Sequence, residues 1–241
     1  MLSTLRDYRV TRASAASIVQ YEDKLREGYL PVGSVEFVRE AIRIAGAQEP
    51  NPVSYPKSLQ KYLHRKVECL PKYMAQAENM FIKPASKTKL FDGFLNSFDT
   101  ELAPAERRFR LEQKLAFEKL TATTPIYVSE VVDFKSEWRY YILKDKIVGR
   151  ARYDDGDDDA PSPSEKVVKD MVASYKKEDS EDRCLSYGLD VGVLSSGETA
   201  LVEMNRAWAL GLYKDMEDTA AYLEMLSVCW QQIMKGVQHE D

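Results

Sequence analysis

The stretch LDVGVLSSGETALVEMN, residues 189–205, reads as two β-rich runs around a Ser196-Gly197 pair suited to a tight hairpin loop. With that pair as a two-residue turn, Leu194 faces Thr199 and Asp190 lies directly opposite Glu203. Val191, Val193, Ala200, Val202 and Met204 then fall on the other face, which is apolar throughout and must meet a core. A slip of one residue would expose that apolar set, so the register is pinned. Asn205 follows Glu203 by two positions and shares its side of the strand.

Like charges directly opposite on a sheet repel, with Cβ atoms only about 5 Å apart. A protonated carboxyl, a basic partner or a divalent cation would compensate. The all-oxygen set Asp190, Glu203 and Asn205 suits Mg²⁺ or Mn²⁺, with substrate phosphates completing the coordination. A solvated strand face, or carboxylates paired with nearby arginines, accounts for the same residue types.

A second hairpin lies upstream. EWRYYILKDKIVGRARY, residues 137–153, puts Glu137, Arg139 and Tyr141 on one face and turns tightly at Lys-Asp-Lys. Arg150 and Arg152 share a face of the returning strand, and a two-residue turn sets Arg139 opposite Arg150. Clustered guanidinium groups need an anion, and phosphate or carboxylate fits their forked donors. Cross-strand pairing with Glu137 on a surface sheet is the plainer alternative. Trp138, Tyr140 and Tyr141 read as core rather than as base-stacking platforms.

Elsewhere the pattern is mixed. SVEFVREAIRIAG, residues 34–46, reads as a helix capped by Ser34 and stopped by Gly46, with Val35, Val38, Ile42 and Ala45 as its stripe. QEPNPVSYP is a linker or extended crossover, and KSLQKYLHRKV reads as a short basic helix. MFIKPA begins a strand, followed by the polar loop SKTKLFDG. Residues 104–120 are helical and highly charged. DDGDDDAPSPS has no capacity to pack a core; it reads as a solvated loop, or as a lid that would tolerate a cationic acceptor. SEKVVKDMVASYKK is an amphipathic helix capped by Ser164, and residues 216–236 form a closing helix. Together these predict an α+β protein with antiparallel hairpins.

Composition excludes several classes. A net charge of −5 gives no global case for nucleic acid or an anionic membrane. Three scattered cysteines fit neither a disulfide framework nor a zinc motif, and the two histidines, His64 and His239, exclude a His-rich metal centre. No stretch approaches a membrane span, and MLSTLRDYRVTR lacks a signal peptide's apolar core, so the expected compartment is cytoplasmic. No G-x-x-x-x-G-K-[ST] or G-x-G-x-x-G sequence is present.

Over roughly Tyr55 to Tyr213 these residues resemble the ATP-grasp superfamily. The LDVGV…LVEMN hairpin is similar to the family's metal hairpin, which makes Asp190, Glu203 and Asn205 the Mg²⁺ ligands. SEVVDFKSEWRYYI resembles the adenine hinge: Glu130 begins it, backbone groups of Val131, Val132 and Asp133 meet the adenine, and Glu137 takes the ribose hydroxyls. FIKPA resembles the strand carrying the nucleotide lysine, here Lys83. The loop after Lys83 departs from the family by being Lys-rich rather than Gly-rich, and the family's first lysine has no clear match beyond Arg65 or Lys66. GYLPVGSVEFV and FIKPASKTKLFDGFL further resemble a compact, poorly characterised group within the superfamily.

The resemblance implies an ATP-grasp fold of two α+β subdomains clasping ATP between antiparallel sheets. Residues 1–54 would be a short N-terminal region, 55–132 the small subdomain and hinge, and 133–241 the subdomain with the metal site. It implies an ATP- and Mg²⁺-dependent carboxylate–amine ligase acting through an acylphosphate, with Arg139, Arg150 and Arg152 stabilising charge on the transferred phosphoryl or anchoring the carboxylate. An ATP-grasp phosphotransferase, or a nucleotide-binding interaction module without turnover, is the alternative. The partners implied are ATP and a small-molecule or peptide carboxylate and amine; the sequence does not name them or fix the oligomeric state.

Overall fold

Two four-stranded antiparallel sheets organise the chain in the computed structural model, which describes residues 9–75, 78–87, 90–97, 101–235 and 237. They belong to two packing units: Leu63–Asp133 forms one, and the described residues up to Tyr62 join those from Phe134 onward in the other.

The first unit carries strands β1 (Val67–Pro71), β2 (Met80–Pro84), β3 (Phe94–Asn96) and β4 (Pro125–Ser129), in the order β1-β4-β2-β3. Alternation sends Ile82, Ile126 and Val128 into a core, where they meet Phe91, Phe94 and Phe117. The three rings pack edge to face with centroids 5.8–6.2 Å apart. Phe117 comes from a helix, Pro104–Glu118, whose Pro104 sits in the first turn, where a missing N–H costs nothing. The expected basic helix KSLQKYLHRKV does not form. Lys57–Tyr62 makes a 3-10 turn, His64 takes a positive φ of 51°, and β1 begins at Val67. SKTKLFDG is also less polar in effect than it reads, because Phe91 is buried; residues 88 and 89 lie outside the described residues.

The second unit carries β5 (Phe134–Leu143), β6 (Lys146–Arg152), β7 (Ser186–Leu194) and β8 (Thr199–Arg206), in the order β6-β5-β7-β8. The helix Glu165–Lys176 buries Val168, Met171, Val172 and Tyr175, and Tyr175 meets Tyr187 of β7 edge-on at 5.0 Å. Ser164 precedes this helix but makes no side-chain cap; its backbone N–H donates to Thr199 Oγ1 at 2.8 Å. The closing helix spans Thr219–Met234, with residue 236 outside the described residues. Apolar side chains surround it, since it has two sides to bury. Met225, Leu226 and Cys229 join Tyr141 and Leu143 of β5, while Trp230 meets Ile18, Leu25, Val38 and Ala41.

Val38 and Ala41 belong to the helix Val35–Ile44, capped as expected by Ser34 Oγ, which accepts the Phe37 N–H, and followed by Gly46 at φ +77°. QEPNPVSYP forms the extended crossover: Met204 N–H of β8 donates to Ser54 O at 3.0 Å, and Arg206 Nε to Asn51 O at 2.8 Å. That segment pairs part of the edge that β8 would otherwise present. All three cysteines are free, and burial pushes the Cys229 thiol up to about 12. Among the described residues no helix is long and apolar enough to cross a membrane.

Candidate functional site

Register decides which polar side chains meet on the β5–β8 sheet. In the β7–β8 hairpin, Asp190 stands opposite Glu203, as the sequence predicts. The route differs. Leu194 accepts from Gly197 N–H and donates to Glu198 O, so Val193, not Leu194, faces Thr199. A bulge between Asp190 and Val191 then restores the expected pairing for Asp190.

In the β5–β6 hairpin no second shift compensates. Lys144 and Asp145 form the turn with φ of 48° and 64°, and a bulge follows between Tyr141 and Ile142. Arg139 therefore faces Ala151, while Arg150 faces Tyr140 and Arg152 faces Trp138. The expected opposition of Arg139 and Arg150 is overturned, and the three arginines do not share a face. Arg150 lies over the Trp138 ring at 5.5 Å. Arg152 anchors the acidic loop, donating to both oxygens of Asp154 at 2.8 and 2.6 Å and to Asp157 O at 2.7 Å. The Asp154 carboxyl is held well below the usual range by Arg152, then by the Glu137 and Gly156 N–H groups.

Arg139 instead faces Asp190 across β5 and β7. A cross-strand row thus runs Ala151, Arg139, Asp190, Glu203. Arg139 Nε donates to Asp190 Oδ1 and Nη2 to Oδ2, each at 2.7 Å, a bidentate pair. Arg139 is 9% exposed and Asp190 2%. Burial pushes the Asp190 carboxyl up, opposed by Arg139. Burial also disfavours the guanidinium charge, but Asp190 outweighs it and holds Arg139 protonated. Asn205 Nδ2 donates to Asp190 Oδ2 at 3.1 Å and to Glu203 Oε1 at 2.9 Å. Between Tyr141 and Asn205 the next row contains Gly188, where a Cβ would come within 2.8 Å of Leu210 Cδ1 and 3.3 Å of Arg139 Nε.

Aromatic rings flank the guanidinium. Tyr153 and Tyr213 stack at 5.3 Å, and the Arg139 guanidinium lies 4.9 Å from the Tyr213 centroid and 6.0 Å from that of Tyr153. Tyr153 Oη donates to Glu137 Oε2 at 2.6 Å, and burial beside Asp190 and Glu137 pushes its hydroxyl up. Tyr141 Oη donates to Gly211 O at 3.0 Å and accepts from Tyr213 N–H at 2.9 Å, which fixes the Tyr213 loop. The sequence reading missed Tyr153 and Tyr213. Tyr153 was within reach, since it lies two positions beyond Ala151 once the bulge is counted.

The donor set fits a hard cation. Among the described residues no group of three His, Cys, Asp or Glu could hold a metal unaided. Two carboxylates and an amide oxygen suit Mg²⁺, which keeps waters and shares its shell with phosphates. The reservation is Asp190, whose oxygens already serve Arg139.

In the other unit, Lys83 on β2 faces Tyr127 on β4, with Nζ 5.7 Å from the ring centroid, on the sheet face away from the Phe117 core. Arg65 Nε donates to Ser129 Oγ at 3.0 Å, whereas Lys66 pairs with Glu68 at 2.8 Å. Glu130 is tied to β1's approach: its carboxylate accepts Lys66 N–H at 2.8 Å, and its own N–H donates to Lys66 O. Val131 and Asp133 are exposed and Val132 half-buried in a stretch without regular structure. A separate cavity of about 1020 Å³ beside the closing helix is lined by Arg9, Arg12, Lys24, Tyr29 and Glu224 among others; none of the residues singled out above from the sequence lines it.

Residues 62–225 match an ATP-grasp domain family, the second family of its clade. The chain belongs to this family. Its two antiparallel sheets are those of the ATP-grasp fold. No curated protein shows significant similarity. Among solved structures, the ATP-grasp ligase PsnB complexed with a minimal precursor matches at 16% identity and a TM-score of 0.36, over 91% of this chain and 61% of that one. D-alanine–D-alanine ligase from Bacillus anthracis matches at 15% identity and a TM-score of 0.47, over 94% of this chain and 86% of that one. N5-carboxyaminoimidazole synthetase from Staphylococcus aureus matches at 10% identity and a TM-score of 0.39, over 91% and 58%. The chain thus spans about three fifths of the PsnB chain.

Proposed function

We propose that this ATP-grasp protein is an ATP- and Mg²⁺-dependent ligase that activates a carboxylate as an acylphosphate for attack by an amine. The observation that carries the reading is the Arg139–Asp190–Glu203 row with Asn205 bridging its carboxylates, on a β-hairpin face within an ATP-grasp domain.

The chemistry asks little proton transfer of the protein. A substrate carboxylate oxygen attacks the γ-phosphorus of ATP and ADP leaves; an amine then attacks the acyl carbon and phosphate departs. The protein must neutralise charge, hold the carboxylate in line and exclude water. Glu203 and Asn205, with Asp190, would hold Mg²⁺, which when bound neutralises phosphate charge. Arg139 supplies a guanidinium in a buried setting, where its charge counts for more than in water. Lys83 contacts the adenine and α-phosphate, backbone groups of Val131, Val132 and Asp133 meet the adenine, and Glu137 takes the ribose hydroxyls, with Tyr153 Oη as its present partner. Arg150 and Arg152 do not face Arg139 and take no part in this scheme. Residues 1–54 serve as a short preceding region, 55–132 as the nucleotide-lysine subdomain and hinge, and 133–241 as the metal subdomain.

Thermal shift with ATP and Mg²⁺ tests the reading. Wild type is expected to be stabilised, and Glu203→Ala and Asn205→Ala to lose that stabilisation. No shift in wild type, or equal shifts in all three proteins, would remove the site. ADP release across pools of carboxylates and amines then separates a ligase from a protein that only binds nucleotide.

A further inference from the structure

The Arg139–Asp190 pair has a consequence for how the site fills. Asp190 Oδ1 accepts from Arg139 Nε, and Oδ2 accepts from both Arg139 Nη2 and Asn205 Nδ2. The same Asn205 nitrogen also serves Glu203 Oε1. Both Asp190 oxygens are thus occupied by protein donors, and the carboxamide presents its nitrogen, not its oxygen, to the carboxylates. A cation entering here must displace the guanidinium from at least one oxygen and turn the carboxamide over.

The displaced guanidinium cannot go to bulk water at no cost. It is 9% exposed, with the Tyr213 ring 4.9 Å away and the Tyr153 ring stacked on that one. A buried guanidinium separated from its carboxylate, with a divalent cation arriving beside it, would be left uncompensated. A phosphate group supplies the missing anion, because its oxygens accept the same two-pronged donation.

We propose that Arg139 makes the site selective for the cation–nucleotide complex over either component alone. Without ligand it occupies Asp190 and keeps free cation out. With nucleotide present it transfers its two donated hydrogen bonds from the carboxylate to phosphate oxygens, and the freed carboxylate takes the cation. No covalent bond changes and no proton moves; the exchange is of one anion for another. This role rests on the proposed ATP and Mg²⁺ chemistry and adds to it a specificity that a bare carboxylate trio would lack.

Phosphate–cation contact couples the two ligands in any such site, so cooperativity in wild type does not distinguish this role. Each ligand must be measured alone. Mn²⁺ without nucleotide, followed by the paramagnetic signal of the free ion, is expected to bind Arg139→Met at least about tenfold more tightly than wild type, a coupling of ordinary size for linked sites. A non-hydrolysable ATP analogue in excess EDTA, followed by calorimetry, is expected to bind Asp190→Asn several-fold more tightly than wild type, because that substitution releases Arg139. Arg139 acting only as a structural strut predicts unchanged or weaker binding in both experiments, and that result overturns the proposal. Should Arg139→Met fail to fold, the Asp190→Asn titration decides alone. If wild type binds the analogue in neither the presence nor the absence of Mn²⁺, the ATP reading itself falls, an outcome distinct from intact Mn²⁺–analogue binding with no change in the variants.

Discussion

The two hairpins of the β5–β8 sheet reach their registers differently. Between β7 and β8 the turn and the bulge shift the pairing in opposite senses, so Asp190 and Glu203 meet where a two-residue turn would also have put them. Between β5 and β6 a single bulge acts alone, and Arg150 and Arg152 change face relative to Arg139. Side chains on a strand alternate with a period of two, so one uncounted residue reverses every assignment beyond it and two restore them. The surviving row collects Arg139, Asp190, Glu203 and Asn205; the shifted strand leaves Arg152 to pin the acidic loop.

The largest test sets Arg139 against Arg150. Arg139→Met leaves a buried carboxylate without its cation and is expected to destabilise the protein by about 3–5 kcal/mol, the usual cost of breaking a buried pair. Arg150→Met, on an exposed position, is expected to stay within about 0.5 kcal/mol of wild type. Denaturant melts measure both. Equal losses would mean that the arginines share a face after all. The double variant Arg139→Met with Asp190→Leu should recover most of the loss, because no unpaired charge then remains.

A middle-sized effect probes the β7–β8 turn. Gly197 has φ +88° with open space around it, so Gly197→Ala strains the backbone without a clash and is expected to cost about 1 kcal/mol. A neutral result would point to a different turn and to another route to the Asp190–Glu203 pairing.

The smallest effect is in acid. The Asp154 carboxyl is depressed in the folded state, first by Arg152. Its stabilising contribution is complete above its unfolded value, near pH 4, and is lost as pH falls toward the folded value. Arg152→Met removes the main cause, so the fall in melting temperature between about pH 5 and pH 2 should be shallower than in wild type. An unchanged slope would separate Arg152 from the loop.

Much of this was legible in residue order. Ser34 and Gly46 bound their helix, MFIKPA forms β2, and the Asp190–Glu203 opposition follows from the apolar set on the reverse face. The missing part is of one physical kind. Bulges, a 3-10 turn and a positive-φ His64 are set by tertiary packing, such as Met216 crowding Gly149 beside the β5–β6 bulge, and composition does not announce them. The Arg139–Asp190 pair was hidden for another reason. Its partners lie 51 residues apart and meet only through the β5–β7 pairing, for which neither hairpin turn gives a count.

Calorimetric titration of a non-hydrolysable ATP analogue with Mg²⁺ into wild type, Glu203→Ala and Arg150→Met tests the central assignment most directly. The account predicts saturable binding by wild type, loss of at least about tenfold in affinity for Glu203→Ala, and wild-type affinity for Arg150→Met, whose side chain sits on the opposite sheet face. Unchanged binding by Glu203→Ala, or equal loss in both variants, would contradict it.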